Sequence, residues 1–167
     1  MFQHFVNDIF RDHLDNFLIV YLDDILLFSA TLDIHRVHMK KVLTILRTHG
    51  LYVKAKKSDF EKETIYFLGL VISTKGVAMD PQKVKAILDW PAPSDKKGIQ
   101  RFIGFSNFYR RFIKNFSAII APITQLTRLH SRFQWSPEAQ TAFDRLKTVF
   151  VSAPVLQHPD PTLPYVL

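Results

Sequence analysis

Residues 17–28 read Phe17-Leu18-Ile19-Val20-Tyr21-Leu22-Asp23-Asp24-Ile25-Leu26-Leu27-Phe28. Two apolar runs of strand length, Phe17–Leu22 and Ile25–Phe28, stand on either side of an Asp-Asp pair, the pattern of two strands joined by a tight turn. Such turns favour Asn-Gly or glycine-containing pairs, because they need positive φ. Two aspartates give up that fit and add like-charge repulsion, which a purely structural turn has no reason to accept. A divalent cation removes the repulsion. Magnesium takes one or two protein carboxylates and completes its shell with substrate phosphates. A two-metal site of that kind activates an attacking hydroxyl and stabilises the leaving oxygen in phosphoryl transfer. An ordinary acidic turn is the competing reading of Asp-Asp alone, and the strands on both sides favour the metal.

Outward from this hairpin the chain alternates helix and strand and then becomes helical. Phe2–Leu14 reads as the end of a helix. Asp33–His49 reads as a helix with Met39, Val42, Leu43 and Leu46 on one face and Gly50 at its C-terminal cap. Ile65–Ile72 reads as one strand, ending in a turn at Lys75-Gly76. Asp80-Pro81 starts a helix that Pro91 ends after Trp90. Ser94 can cap the next, whose apolar face runs through Ile99, Phe102, Ile103, Phe105, Tyr109, Phe112, Ile113 and Phe116, with Pro122 shortly after. Ser136-Pro137 starts a last helix to about Phe150, broken by Ala153-Pro154. Leu163–Leu167 begins an extended segment. Trp90 and Trp135, both beside or near helix ends, read as packing anchors.

Composition narrows the chemistry. The 167 residues are 47% hydrophobic and 22% charged, and none is cysteine. Disulfides, zinc fingers and thiol catalysis are thereby excluded. The longest apolar stretch is interrupted by Asp23 and Asp24, so no membrane partner is expected. His35 and His38 sit three apart on the predicted helix, too few for a zinc site. No phosphate-cradling glycine loop and no Gly-x-Ser-x-Gly elbow is present. The net charge of +7 is unevenly spread. Residues 1–77 hold 10 Lys/Arg against 9 Asp/Glu, residues 78–133 hold 10 against 3, and residues 134–167 hold 2 against 3. A surplus confined to the middle third is the footprint of a polyanion partner, or else a solvated basic helix face.

Tyr21-Leu22-Asp23-Asp24 resembles the polymerase signature of reverse transcriptases, and its flanks resemble the Ty3/gypsy retrotransposon class. The likeness continues in the family's order. His49-Gly50-Leu51-Tyr52 with Lys54, Lys56 and Lys57 resembles the next polymerase motif. Phe67-Leu68-Gly69 resembles the primer grip. Leu88-Asp89-Trp90-Pro91, Phe102-Ile103-Gly104-Phe105 and Asn107-Phe108-Tyr109-Arg110-Arg111-Phe112-Ile113 resemble the thumb. Phe133-Gln134-Trp135 and Ser152-Ala153-Pro154-Val155-Leu156 resemble the lead-in to RNase H.

The resemblance implies an α+β fold: the second half of a polymerase palm over 1–77, a helical thumb over 78–133, and the truncated start of an RNase H-like domain over 134–167. It implies that Asp23 binds Mg2+ (Mn2+ as a substitute), with Asp24 beside it in the same acidic pair. Tyr21 is expected near the primer terminus. Lys57, or in its place Lys56, is expected to give the pyrophosphate leaving group its proton. Phe67, Leu68 and Gly69 are expected to position the primer strand. Gln100, Gly104 and Phe108, spaced by four, share a helix face that the resemblance lays along the minor groove of a template–primer duplex, RNA/DNA or DNA. Lys97, Arg101, Arg110, Arg111 and Lys114 are expected to supply phosphate contacts. Phe108 as a core residue is the rival reading. The family's remaining metal-binding aspartate, and the fingers that cover the incoming dNTP, are expected upstream of Met1, and Phe2-Gln3 resembles the tail of the helix that follows them. Two function classes follow: a fragment of an RNA-directed DNA polymerase within a retroelement polyprotein, inactive alone, or a non-catalytic retroelement-derived module that binds nucleic acid or protein.

Overall fold

The computed structural model describes residues 2–128 and 133–158, which form two compact units, 1–63 and 64–167. The expected partition put its first boundary at 77/78; by packing, the chain divides at 63/64. No helix among the described residues is long and apolar enough to cross a membrane. The expected extended segment Leu163–Leu167 lies outside the described residues.

In the first unit, α1 (Phe2–Ile9) leads through turns into the antiparallel pair β1 (Leu18–Tyr21) and β2 (Asp24–Leu27), followed by α2 (Leu32–Thr48). The α1 helix stops earlier than the expected Leu14, whose backbone instead bridges to Leu18. Val6, Phe10, Phe17, Leu18, Val42 and Leu46 form the core, so α1 and α2 each give one apolar stripe to the hairpin. Thr31 caps α2, its side chain accepting from the Ile34 amide. His38 stacks on Phe17, ring centroids 3.8 Å apart, and its Nδ1 lies 2.8 Å from Ser29 Oγ. A 3₁₀ turn at Ala55–Lys57 follows. Glu61 then accepts a two-pronged bond from Arg36 of α2, at 2.7 and 3.1 Å.

The second unit opens with a three-stranded antiparallel meander: β3 (Thr64–Phe67), β4 (Leu70–Ser73) and β5 (Gly76–Met79). The single strand expected over Ile65–Ile72 is therefore two strands with a turn at Leu68-Gly69. Both turn residues have positive φ, 52° and 77°, as a type I′ hairpin requires at its two central positions. Leucine is a poor advertisement for such a turn, which is why the apolar run reads as continuous. Beyond β5, Leu156 pairs with Val77 through two backbone bonds of 2.8 Å, a bridge with no signal in the local sequence. Gly76 makes room for it, since a Cβ there would stand 2.2 Å from the Leu156 carbonyl oxygen.

Among the described residues four helices complete this unit: α3 (Pro81–Leu88), α4 (Lys96–Phe108), α5 (Phe116–Gln125) and α6 (Pro137–Val151). Asp80 and Ser136 cap α3 and α6 as expected, but Asp95, not Ser94, caps α4, accepting from the Gly98 amide at 2.6 Å. The long apolar face through Phe116 is also divided. After Phe108 comes a 3₁₀ turn, Arg110–Phe112, and Asn115 at φ 59° starts α5. Pro122 lies inside α5. Ile87, Ile99, Phe102, Ile123, Phe143 and Leu146 are buried in the shared core. Trp90 packs against Phe102 and Phe105, and Trp135 against Phe143. Lys147 of α6 donates to the Leu88 and Trp90 carbonyls, satisfying the end of α3.

Candidate metal turn and nucleic-acid face

The β1–β2 register pairs Tyr21 with Asp24, so the loop proper is Leu22-Asp23, and Asp24 is the first residue of β2. Leu22 has φ 53° and Asp23 is not in the positive-φ region. Positive φ at the first loop position alone is a requirement shared with type II′ turns, where glycine is the usual choice. Holding a leucine there costs of order 1–3 kcal/mol, strain that clusters at active sites and persists only where the surroundings enforce it. The enforcing group is Gln3 of α1. Its Oε1 accepts from the Leu22 amide, while its Nε2 donates to Asn7 Oδ1 at 2.8 Å and, more weakly, to the Val20 carbonyl at 3.5 Å. Sequence reasoning placed Gln3 at a helix tail and missed this role; only the proximity of α1 to the hairpin reveals it.

Tyr21, Asp23 and Asp24 are all exposed. Neither carboxylate has a hydrogen-bond or ion-pair partner among the described residues, and none of those residues joins them in a three-ligand cluster. Two adjacent, unneutralised carboxylates on a strained turn fit a divalent cation that takes its other oxygens from phosphate and water. They do not by themselves make a closed metal cage. Lys56 and Lys57 lie on the exposed 3₁₀ turn, with their ammonium groups unpaired among the described residues. Tyr52, just before them, is 95% exposed.

In the second unit the Phe67-Leu68-Gly69 stretch is the β3–β4 turn, partly buried throughout. The Gly69 carbonyl accepts twice, from the Asp80 amide at 3.2 Å and from the Tyr109 hydroxyl at 3.1 Å. Tyr109 is the C-cap residue of α4 and only 3% exposed. Burial above all, and Asp80 next, push its phenol above the ordinary value. Helical periodicity grouped Tyr109 with the apolar face, so its hydroxyl went unnoticed.

The α4 helix separates its faces cleanly. Ile99, Phe102, Ser106 and Tyr109 are buried, whereas Lys97, Gln100, Arg101, Gly104 and Phe108 are exposed. Phe108 is 55% exposed and meets Tyr109 edge to face, so the rival placing of it in the core does not hold. A Cβ at Gly104 would meet nothing within 4 Å. Arg110, Arg111 and Lys114 follow on the exposed side of the 3₁₀ turn and beyond.

Residues 1–72, which contain the Asp-Asp hairpin, match the family described as reverse transcriptase (RNA-dependent DNA polymerase). The chain belongs to the reverse transcriptase family. Over its whole length it is 33% identical to the retrovirus-related Pol polyprotein from transposon opus of Drosophila melanogaster. Over 95% of its length it is 32% identical to the transposon Tf2-3 polyprotein of Schizosaccharomyces pombe. These are retrotransposon reverse transcriptase relatives of the Ty3/gypsy type. The chain spans 18% and 12% of their respective lengths. Among solved structures, the foamy viral protease-reverse transcriptase in complex with double-stranded DNA aligns with a TM-score of 0.83 and 29% identity, over 95% of this chain and 28% of that one. Reverse transcriptase chemistry is nucleotidyl transfer and depends on divalent metal ions.

Proposed function

We propose that these residues serve an RNA-directed DNA polymerase as its second palm half, thumb and lead-in to RNase H, gripping the template–primer and contributing part of the metal site. Asp23 and Asp24 are the residues that would hold Mg2+, or Mn2+, in the full polymerase, where an incoming dNTP is the substrate. A divalent ion held there would supply charge stabilisation for nucleotidyl transfer. Leu22, fixed by Gln3, aims the carboxylates, and Tyr21 stands beside the primer end. Lys57 donates the proton the pyrophosphate needs. Phe67, Leu68 and Gly69 hold the primer strand.

The observation that carries this reading is the exposed face of α4. Gln100, bare Gly104 and solvent-facing Phe108 form one stripe, with Lys97, Arg101, Arg110, Arg111 and Lys114 exposed around it. A duplex backbone can approach closest where a side chain is missing, and cationic groups around that point neutralise phosphates. Binding of template–primer by this chain should weaken with salt, with a log–log slope of about −0.9 per phosphate contact on B-DNA. Neutralising Arg110 or Arg111 should flatten that slope by up to about one unit each. Phe108→Ala should weaken binding while costing well under the ~3–5 kcal/mol of a core phenylalanine. Salt-insensitive binding, or none, would overturn the reading. Unchanged binding by a polymerase-length chain that lacks synthesis would favour the non-catalytic module instead.

A further inference from the structure

The Tyr109 hydroxyl joins two parts of the second unit that the proposed function assigns to separate contacts. One is the Leu68-Gly69 turn, assigned to the primer strand. The other is α4, whose C-terminal cap is Tyr109 itself and whose exposed face is assigned to the groove. The turn needs an external hold. Leu68 sits at φ 52°, which its side chain disfavours. The Gly69 carbonyl receives the Asp80 amide from the start of α3 and the Tyr109 hydroxyl from the end of α4.

The geometry leaves little slack. Tyr109 is 3% exposed, and its ring is enclosed by Phe105, Phe108, Phe112 and Phe150 at centroid distances of 4.8–6.4 Å. A ring so enclosed cannot swing, so the hydroxyl is a fixed donor. A Cβ on Gly69 would lie 2.7 Å from the Tyr109 oxygen, so the absent side chain is what admits the hydroxyl. The same ring touches Phe108 on the exposed face, which places both assigned nucleic-acid contacts on one rigid aromatic.

We propose that Tyr109 is a positioning residue for the polymerase: its hydroxyl sets the register between the primer-strand turn and the groove-facing helix. The proposal rests on the template–primer reading above and adds the link between its two contacts. Without the hydroxyl, the helix still binds duplex through its phosphate contacts, but the turn drifts relative to it and holds the primer end poorly.

The test is Tyr109→Phe in this chain, which keeps the ring and removes only the donor. Overall duplex affinity is read by titration, and the primer end by the fluorescence of 2-aminopurine at the 3′ terminus. Phe112→Leu is the control, since it loosens the same aromatic cluster without touching the hydroxyl. Wild type and Phe112→Leu should quench or enhance the terminal probe alike. Tyr109→Phe should bind duplex with affinity within about twofold of wild type. Its occupancy of the bound terminal state should fall by roughly 2- to 13-fold, the range that one net hydrogen bond converts to. A Tyr109→Phe chain with a wild-type terminal signal overturns the proposal. So does Phe112→Leu reproducing the loss, because loosened packing would then explain it. Failure of wild type to bind duplex at all overturns the template–primer reading instead.

Discussion

Each of the two compact units contains a two-residue hairpin turn that begins with a leucine at positive φ, Leu22 at 53° and Leu68 at 52°. Neither leucine is there for its conformational preference, and each turn is held by a side chain from a helix. The turns differ in their second residue. In the β3–β4 turn it is Gly69, which takes the second positive φ and lets a phenol come up to its carbonyl. In the β1–β2 turn it is Asp23, which gives up that conformational ease and presents a carboxylate to solvent. Strain is thus tolerated twice for two ends: backbone approach in one turn, charge placement in the other. The tethers differ as well. Gln3 holds the first turn with an amide that cannot titrate, whereas Tyr109 holds the second with a phenol that can.

The comparison breaks most sharply at the second turn residue. Asp23→Asn, in a polymerase-length chain carrying these residues, should lower nucleotide incorporation by at least about 10³-fold, the scale of losing several kcal/mol of metal-borne charge stabilisation. Its melting transition should move by no more than about 0.5 kcal/mol, since the side chain is exposed and unpaired. Gly69→Ala, unlike Asp23→Asn, should cost stability, through its φ of 77° and its approach to Tyr109. Incorporation that survives in Asp23→Asn would remove Asp23 from the metal site and with it the contrast between the turns.

The tether of the first turn comes next in size. Gln3→Ala removes the acceptor of the Leu22 amide and the amide that reaches Asn7 and Val20. One net hydrogen bond is worth about 0.5–1.5 kcal/mol, so the loss of stability should be in that range. The rate should suffer more, roughly 10- to 100-fold, because a small misplacement of a catalytic group is costly. Stopped-flow incorporation beside thermal melting separates the two. A rate loss no larger than the stability loss would reduce Gln3 to an ordinary surface bond.

Why the hairpin was legible in sequence and the tethers were not follows from the range of each signal. Residues 17–28 state their strands and charges locally, so the β1–β2 hairpin and its acidic pair could be read directly. Caps such as Asp80 and Ser136 are equally local. The Leu68-Gly69 turn was hidden because leucine at positive φ is a tertiary outcome, and the groups that hold the turn, Asp80 and Tyr109, bond the Gly69 carbonyl from 11 and 40 positions away. Asp95 displaced Ser94 as the cap of α4 because both residue types suit the position and only geometry chooses. The Val77–Leu156 bridge joins residues 79 apart and has no local signature. On α4 the buried and exposed faces obey the 3.6-residue period, and Phe108 falls with Gln100 and Gly104 on the exposed face, as their spacing by four indicated. Spacing revealed that, where side-chain type alone pointed to the core.

The smallest expected effect distinguishes the tethers by pH. The Tyr109 phenol is raised above its ordinary 10.0, by burial first and by Asp80 second. A group whose folded pKa exceeds its unfolded one stabilises fully below the unfolded value. That contribution is lost as pH rises through the folded pKa, when the chain can unfold to release the proton. The window is therefore above pH 10, and neutral pH lies outside it. Ionisation would also turn the donor to Gly69 into an oxyanion facing a carbonyl and Asp80, so the second turn should loosen with the titration. The first turn has no such group, since the Gln3 amide keeps its proton throughout. Wild type and Tyr109→Phe should be melted side by side from pH 8 to about pH 11, where general lysine deprotonation affects both chains alike. Any advantage of the wild type that comes from the phenol should be level up to about pH 10 and then shrink, while Gln3→Ala should track wild type at a constant offset. A wild-type advantage that shrinks below pH 9, or never shrinks, would mean that the Tyr109 proton is not held as the buried hydrogen bond requires.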